Sequence, residues 1–269
     1  RRDDVSPNLP RFFTSSSPLV TDGLCVAQVG GQGGGGITAF DLSTGEPKWK
    51  WTGDGAAYAS PALLAVGDVK LVVALTADKI VAIGAADGKL VWETPFAPAQ
   101  RSYNASTPVI DGATLIYGGG GRGFRAVKFE KQGDAIAAKE LWSNSEKSPE
   151  FNSPVLRDGL LFALTKNHDF TCIDARDGKA AWTAPAGGGA AAGGGRNRGA
   201  GYGSIVDGGT VLLAVTPASE LIVFSPDAKA YTEVARIKVA STPIYSHLVV
   251  SGNRLLVKDN DSLALFKVE

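Results

Sequence analysis

The aromatic and polar residues suited to binding recur just before a Ser-Pro, Thr-Pro or similar pair that opens an apolar run. At these places an aromatic residue stands alone or beside an Arg or Asn, and such groups together could hold a ligand or a peptide. The alternative is that each ring only fills space at the mouth of a channel. With the two histidines of the chain, the candidate binding residues are Arg11, Tyr58, Arg101, Tyr103, Asn104, Asn152, His168, Tyr202, Tyr245 and His247.

No residue pattern in the sequence is typical of catalysis or of a metal site. Neither His168 nor His247 has metal-ligand spacing to another His or to Cys. Residues 259–261, Asp-Asn-Asp, offer oxygen ligands for calcium but lack the Gly and distal Glu of an EF-hand loop, which favours a polar turn. Residues 31–36 and 118–123 fit G-x-G-x-x-G, but a predicted strand follows each where a dinucleotide site needs a helix. We therefore predict no catalytic residue and no metal.

The elements that carry the candidate residues belong to an internal repeat. Residues 37–49 read as a strand, a tight turn at Thr44-Gly45 and a second strand that contains a Trp, and the phrase returns at residues 81–92 and 171–182. Units of about 40–50 residues with four short strands are typical of propeller blades. The sequence thus predicts an all-β propeller of four-stranded antiparallel blades, with six repeat units and essentially no helix.

We expect the whole chain, residues 1–269, to form one propeller domain. A Gly-rich linker is predicted at residues 187–199, and the sixth unit lacks a fourth strand. Residues 8–13 are predicted to form a short edge strand or the tail of an upstream unit. The six units lie approximately at residues 14–55, 56–98, 99–147, 148–186, 200–240 and 241–269.

The two ends of each blade differ in their loops. If the strands of a unit are labelled A to D, the A–B and C–D turns pair Gly with Asp, Asn or Thr, which is the chemistry of tight hairpins. The B–C loops and the D-to-A crossings lie at the opposite end and vary. Because binding residues favour loops on a rigid scaffold, we expect function at this B–C face.

Composition excludes some classes of partner. The chain has 27 basic and 27 acidic residues, whereas a nucleic-acid binder carries a basic surface. No apolar run approaches the roughly 18 residues of a membrane span, and the first residues show no signal peptide. The sequence contains no Met, so we expect a processed chain or part of a longer protein. Cys25 and Cys172 lie in apolar strands and are expected to be free buried thiols, with a disulfide as the alternative.

The phrase Ala39-x-Asp41-x-x-Thr44-Gly45-x-x-x-Trp49 resembles the tryptophan-docking repeat of propellers of the pyrroloquinoline-quinone (PQQ) type. The resemblance extends through six units. Members of the family usually have eight blades, which favours an eight-bladed parent in which another segment or chain closes the gap; a closed six-bladed ring is the alternative. The resemblance implies that four residues pack between neighbouring blades: Trp49, Trp92, Trp142 and Trp182.

The family includes quinoprotein dehydrogenases and also non-catalytic propeller lipoproteins of the bacterial outer-membrane β-barrel assembly machinery. The quinone-dependent alcohol dehydrogenases carry two adjacent bonded cysteines and a calcium ion, whereas Cys25 and Cys172 are 147 positions apart. We therefore predict a non-catalytic scaffold of the bacterial envelope without a cofactor, periplasmic or extracellular, that binds a protein, peptide or ligand at the B–C face or an edge. The alternative is a quinone-dependent oxidoreductase, or a fragment of one, whose PQQ and calcium residues lie in missing blades.

Overall fold

The computed structural model describes residues 9–31, 33–99, 102–187 and 202–268, and all of the regular elements in these ranges are β-strands. The strands form six antiparallel sheets, five with four strands and one with three. Within each sheet, strands that follow one another in sequence lie side by side. The prediction of all-β, four-stranded antiparallel units is confirmed. The chain divides into two compact units, residues 1–148 and 149–269.

The first unit contains blades 1 to 3, each with four strands in chain order. Its strands are β1 Leu19–Thr21, β2 Leu24–Val29, β3 Gly36–Asp41, β4 Pro47–Trp51, β5 Ala62–Val66, β6 Val69–Leu75, β7 Lys79–Gly84, β8 Leu90–Pro95, β9 Val109–Asp111, β10 Thr114–Gly119, β11 Gly123–Gln132 and β12 Ala135–Asn144.

The second unit contains blades 4 and 5, with four strands each, and blade 6, with three strands in the described part of the chain. The strands are β13 Val155–Arg157, β14 Leu160–Leu164, β15 Asp169–Asp174, β16 Ala180–Pro185, β17 Ser204–Asp207, β18 Leu212–Val215, β19 Glu220–Phe224, β20 Glu233–Lys238, β21 Val249–Ser251, β22 Arg254–Lys258 and β23 Leu263–Lys267.

An Asp and a Gly determine the tight turn between β3 and β4. In the β3–β4 turn, Asp41 Oδ1 accepts hydrogen bonds from Ser43 Oγ and from the backbone N–H groups of Ser43 and Thr44. These bonds, led by that from the Ser43 hydroxyl, hold the pKa of Asp41 well below its usual range. Gly45 follows with φ +75°, a left-handed conformation that favours glycine. Contacts within residues 41–45 therefore determine the hairpin between β3 and β4.

In every four-stranded blade, the pairing between the third and fourth strands changes register at one position. In four blades this register shift directly follows a pair of a small residue and a Trp, whereas in blade 5 an Ala takes the place of the Trp. The pairs are Ala39–Trp49, Ala82–Trp92, Ala126–Trp142, Cys172–Trp182 and Val223–Ala235.

The core lies between neighbouring sheets, so the inner strands are buried on both faces. All residues of β6 from Leu71 to Leu75 are fully buried. Alternate side chains of this strand join two clusters, one shared with blade 1 and one shared with blade 3. This double burial explains why the second strands read as continuous apolar runs rather than as alternating patterns.

Two local predictions are wrong. For residues 8–13 the edge-strand alternative is wrong, because the described residues form a turn in which the Phe13 N–H donates to the Pro10 carbonyl oxygen and Phe13 has φ +63°. Pro10 has no backbone N–H to donate to a ladder, which disfavours a strand here. In blade 3 the sequence predicts strands at residues 124–129 and 139–142 with a long turn between them, but β11 and β12 have ten residues each. They are joined at Gly133-Asp134, where Gly133 has φ +62°.

Candidate binding site at the B–C face

Four of the predicted site residues, Arg11, Tyr58, Tyr103 and Asn104, line one cavity of about 740 Å³ in the first unit. Arg11 lies in the turn that precedes β1, Tyr58 in the crossing from β4 to β5, and Tyr103 and Asn104 in the crossing from β8 to β9. The loops between second and third strands of blades 1 and 2 add further wall residues. The cavity thus lies on the B–C face.

Three aromatic rings pack against one another beside this cavity. The ring centroids are 5.9 Å apart for Phe12 and Tyr58, 5.3 Å for Phe12 and Tyr103, and 5.5 Å for the two tyrosines. Arg11 Nη1 donates to the Tyr103 hydroxyl oxygen at 3.3 Å, and the Phe12 N–H donates to that of Tyr58 at 3.1 Å. We call Arg11, Phe12, Tyr58 and Tyr103 the aromatic cluster. Phe12 is still 56% exposed, so the cluster presents an apolar surface to solvent.

Asn104 forms the floor below the cluster and holds the surrounding loops together. It is only 2% exposed, and its Nδ2 donates to the carbonyl oxygens of Thr76, Ala77 and Phe96 at 2.8, 3.3 and 3.1 Å. Its own carbonyl oxygen accepts from the N–H of Tyr58 at 3.0 Å. The side-chain Oδ1 is buried and has no hydrogen-bond partner among the described residues. Asn104 therefore positions the Tyr58 loop and offers one unused acceptor.

Sequence reasoning did not single out the other residues that shape the cavity. Gln28 fixes the β4–β5 crossing, because Nε2 donates to the carbonyl oxygens of Ala59 and Leu75 at 2.7 and 3.0 Å and Oε1 accepts from the Ala57 N–H at 3.0 Å. A single buried Gln in an apolar strand was the only sequence signal for this role. The small side chains of Ala57 and Ala77 leave the space that the cavity occupies.

The cavity wall carries charges of both signs, Arg11 and Asp78. The Asp78 loop is held by Asp54, whose Oδ2 accepts from Thr76 Oγ1 and from the Asp78 N–H, both at 2.7 Å. Ser102 also lines the cavity, and its buried Oγ has no hydrogen-bond partner among the described residues. The described lining therefore combines Arg11 and Asp78 with two phenol groups and the unpartnered oxygen atoms of Ser102 and Asn104.

A second group of rings lies in the second unit, also just before first strands. The rings of Phe151 and Tyr202 stack at 5.4 Å, and those of Tyr202 and Tyr245 meet edge to face at 4.9 Å. Both tyrosines are exposed. Asn152 is buried and donates from Nδ2 to the Leu164 carbonyl oxygen at 3.0 Å, so, like Asn104, it braces a loop.

The two histidines lie in different segments of the second unit. His168 lies in the β14–β15 loop with φ +61°, and its backbone bonds to Thr165 and Ala186 close that loop. His247 is exposed in the segment before β21. Arg101, the remaining candidate, lies outside the described residues.

The tryptophans of the repeat contact the following blade where the structure describes the contact. Trp49 donates from Nε1 to the Ala85 carbonyl oxygen of blade 2 at 3.0 Å. Trp92 packs edge to face on Phe129 of blade 3, at 5.5 Å between ring centroids. Trp182 donates from Nε1 to the Asp227 carbonyl oxygen of blade 5 at 2.6 Å. Trp142 is buried.

Among the described residues there is neither a cluster of metal-ligating side chains nor a disulfide. Asp259 Oδ1 accepts from the N–H groups of Asp261 and Ser262 and from the Ser262 hydroxyl, so residues 259–262 form a polar turn. No group of three or more His, Cys, Asp or Glu in the described ranges could hold a metal ion. Cys25 and Cys172 are both free thiols. Cys25 is only half-buried, while burial of Cys172 raises its pKa to about 12, which disfavours the reactive thiolate.

A sequence profile of the family described as "Outer membrane protein assembly factor BamB" matches residues 9–184 and 132–243. The chain belongs to this family. Its PQQ-like repeat, predicted from the turn and Trp pattern, is thereby confirmed. No curated protein sequence matches the chain.

Solved structures agree on the fold. BamB from Moraxella catarrhalis is similar with a TM-score of 0.52 and 13% identity, over 94% of this chain and 84% of that one. A chain of the mitotic checkpoint complex is similar with a TM-score of 0.60 and 13% identity, over 92% of this chain and 74% of that one. At such identities the likeness shows the fold alone. With the six blade-like sheets, it confirms the predicted β-propeller. The described residues contain no helix able to cross a membrane.

Proposed function

We propose that this chain is a non-catalytic binding scaffold of the bacterial cell envelope, acting in the periplasm, and that it engages an extended protein or peptide segment at the B–C face of blades 1 to 3. The family description names an outer membrane protein assembly factor, which supports a role in assembling outer-membrane proteins. A propeller suits this role, because its loops vary while its sheets stay rigid.

The observation that carries the proposal is the aromatic cluster over the cavity. Arg and Tyr are enriched among the residues that dominate protein interfaces, and fixed rings bind with little loss of conformational entropy. Here Phe12 is exposed yet held by two tyrosine rings, and Arg11 is held by a hydroxyl. An exposed apolar surface on a fixed framework is typical of an interaction site.

The chemistry of the cavity supports binding rather than turnover. Its described lining contains neither His nor Cys, the residues from which most nucleophile and base pairs are built. Its buried amide, Asn104, is committed through Nδ2 to three carbonyl oxygens. These groups can bind and orient a ligand, and we assign them no proton transfer.

The proposal is tested by photo-crosslinking in bacterial cells that produce the chain. A benzoylphenylalanine at position 12 places the reactive group in the aromatic cluster, and the same group at Leu42 is the matched control, because that side chain is also exposed but lies beside the β3–β4 turn. We expect a discrete protein adduct from position 12 in the envelope fraction and none from position 42. Equal adducts at both positions, or none at position 12, would reject the B–C face as the binding surface.

The edge of blade 6 is a second candidate surface, because the side chains of its last strand, β23, are exposed. None of the five residues of β23 is buried, whereas the third strand of every other blade buries at least three. Leu263 and Leu265 are 65% and 60% exposed. A benzoylphenylalanine at Leu265 in the same experiment distinguishes this edge from the B–C face.

A further inference from the structure

We infer that the cavity of the first unit binds a carboxylate group of a peptide through Arg11, Tyr58 and Tyr103, while Asn104 Oδ1 accepts a hydrogen bond from a peptide N–H. This inference rests on the proposed function and specifies the chemistry that the B–C face recognises. Neither the fold nor the family description assigns a carboxylate-binding site to this cavity.

The upper part of the cavity is a group of unused hydrogen-bond donors. The oxygen atoms of Tyr58 and Tyr103 accept from the Phe12 N–H and from Arg11, so both phenol hydrogens remain to donate. Arg11 uses one N–H on Tyr103 and has no carboxylate partner among the described residues. A guanidinium and two phenols close together suit an anionic acceptor, and charge-assisted bonds to a carboxylate are stronger than neutral ones.

The lower part of the cavity requires a donor from the ligand. Nδ2 of Asn104 faces three carbonyl oxygens, and a flipped amide would set Oδ1 against those oxygens. The orientation of the amide is therefore fixed, and Oδ1 is a buried acceptor with no partner among the described residues. A buried polar atom left unpaired is costly, so a ligand N–H here contributes to binding.

The pairing of donor groups with a buried acceptor selects a peptide over a simple anion. Sulfate brings only negative charge and acceptor atoms, so it offers no donor to Asn104 Oδ1. A peptide brings a carboxylate for Arg11 together with an N–H donor for Asn104 Oδ1. The cavity of about 740 Å³ lies within the usual range of about 300–1,000 Å³ for ligand sites. The carboxylate comes from a C-terminus or from an Asp or Glu side chain.

The test uses the full chain and a synthetic hexapeptide library with free C-termini. Peptides that bind the wild-type chain are resynthesised in three forms: unchanged, with a C-terminal amide, and with Asp and Glu replaced by Asn and Gln. Dissociation constants are measured by fluorescence anisotropy. The form that lacks the recognised carboxylate should bind weaker by on the order of tenfold, and which form this is identifies the source of the carboxylate.

Variants of the chain connect the effect to the site. Arg11→Gln and Tyr103→Phe should weaken the unchanged peptide but leave the carboxylate-free form unaffected. Arg254→Gln changes the same residue type as Arg11→Gln at an exposed position of the second unit, and it should bind every form as the wild type does. Unchanged melting temperatures establish that the variants fold.

Three results would overturn the inference: a library without binders, binders that tolerate the loss of every carboxylate, and binders that respond equally to Arg11→Gln and Arg254→Gln. If any of these occurs while benzoylphenylalanine at position 12 still captures a protein, the proposed function stands and only the carboxylate specificity is wrong. If position 12 also captures nothing, the proposed function is wrong as well.

Discussion

Replacing Gly88 by Ala should destabilise the chain far more than replacing Gly45, although the two glycines occupy the same turn position in neighbouring blades. Their φ angles are +71° and +75°, so Ala meets the same left-handed strain, about 1–2 kcal/mol, at each. A Cβ on Gly45 would have no atom within 4 Å, whereas a Cβ on Gly88 would lie 2.6 Å from Cε3 of Trp49. The difference between the variants isolates the contact of Trp49 with the next blade.

The size of the difference follows from how firmly Trp49 is held. Its side chain is 9% exposed and donates to the Ala85 carbonyl oxygen at 3.0 Å, so the ring cannot move away without losing burial and a hydrogen bond. Overpacking of this kind costs about 1–3 kcal/mol. We therefore expect Gly88→Ala to lower the free energy of unfolding by about 2–5 kcal/mol in total and Gly45→Ala by about 1–2 kcal/mol.

Urea unfolding followed by circular dichroism measures both variants against the wild type. A double-mutant cycle adds a control: in the Trp49→Ala background, Gly88→Ala should cost no more than Gly45→Ala, because the clashing ring is gone. If the two glycine variants unfold at the same urea concentration in the wild-type background, Trp49 does not pack on the turn of blade 2, and the docking geometry is refuted.

Three further predictions address the loops and the thiols. Asn104→Ala should lower the free energy of unfolding by about 2–3 kcal/mol in urea titrations, because three carbonyl oxygens lose a donor, and a loss below about 0.5 kcal/mol would contradict the bracing role. Hydrogen bonds from Arg176 lower the pKa of Asp174 from 3.8 to about 2, so the Asp174 carboxylate stabilises the fold above pH 3.8 and loses this effect as the pH falls toward 2. Carboxyl-carbon NMR of the wild type and of Arg176→Gln measures the titration midpoint of Asp174. An unchanged midpoint in the variant would contradict the role of Arg176. Because burial raises the pKa of Cys172 to about 12 while Cys25 is only half-buried, a disulfide reagent should modify Cys25 alone in the native chain; reaction of native Cys25→Ser would show that Cys172 is accessible.

The strands were predictable where the turns are encoded locally. The sequence predicts strands at residues 254–258 and 263–267, and β22 and β23 have the same bounds, because Gly252-Asn253 precedes the first run and Asp259-Asn260-Asp261 separates the two. The length of the β11–β12 hairpin was underestimated, since its Gly133-Asp134 turn lies in a stretch rich in polar residues. The edge-strand alternative for residues 8–13 is wrong because Pro10 has no N–H to donate to a strand ladder.

The candidate site was predictable by residue type but not by geometry. The repeat shows that Tyr58 and Tyr103 occupy equivalent loops, but the ring contacts between them depend on how neighbouring blades pack. Asn104 was identified as a binding residue, yet its Nδ2 is used on backbone groups that are distant in sequence, and only Oδ1 remains. Asp78 gave no sequence signal, and Gln28 gave only that of a single polar residue in an apolar strand, which is too common to predict a role.

Hydrogen exchange of the chain with and without the protein captured at position 12 tests the central claim most directly. We predict that binding slows exchange in the loops that line the cavity, at residues 56–59 and 102–106, and leaves the turns at residues 41–46 and 84–89 unchanged. Protection confined to those turns or to β23, with no change at the cavity loops, would contradict the assignment of the B–C face as the binding surface.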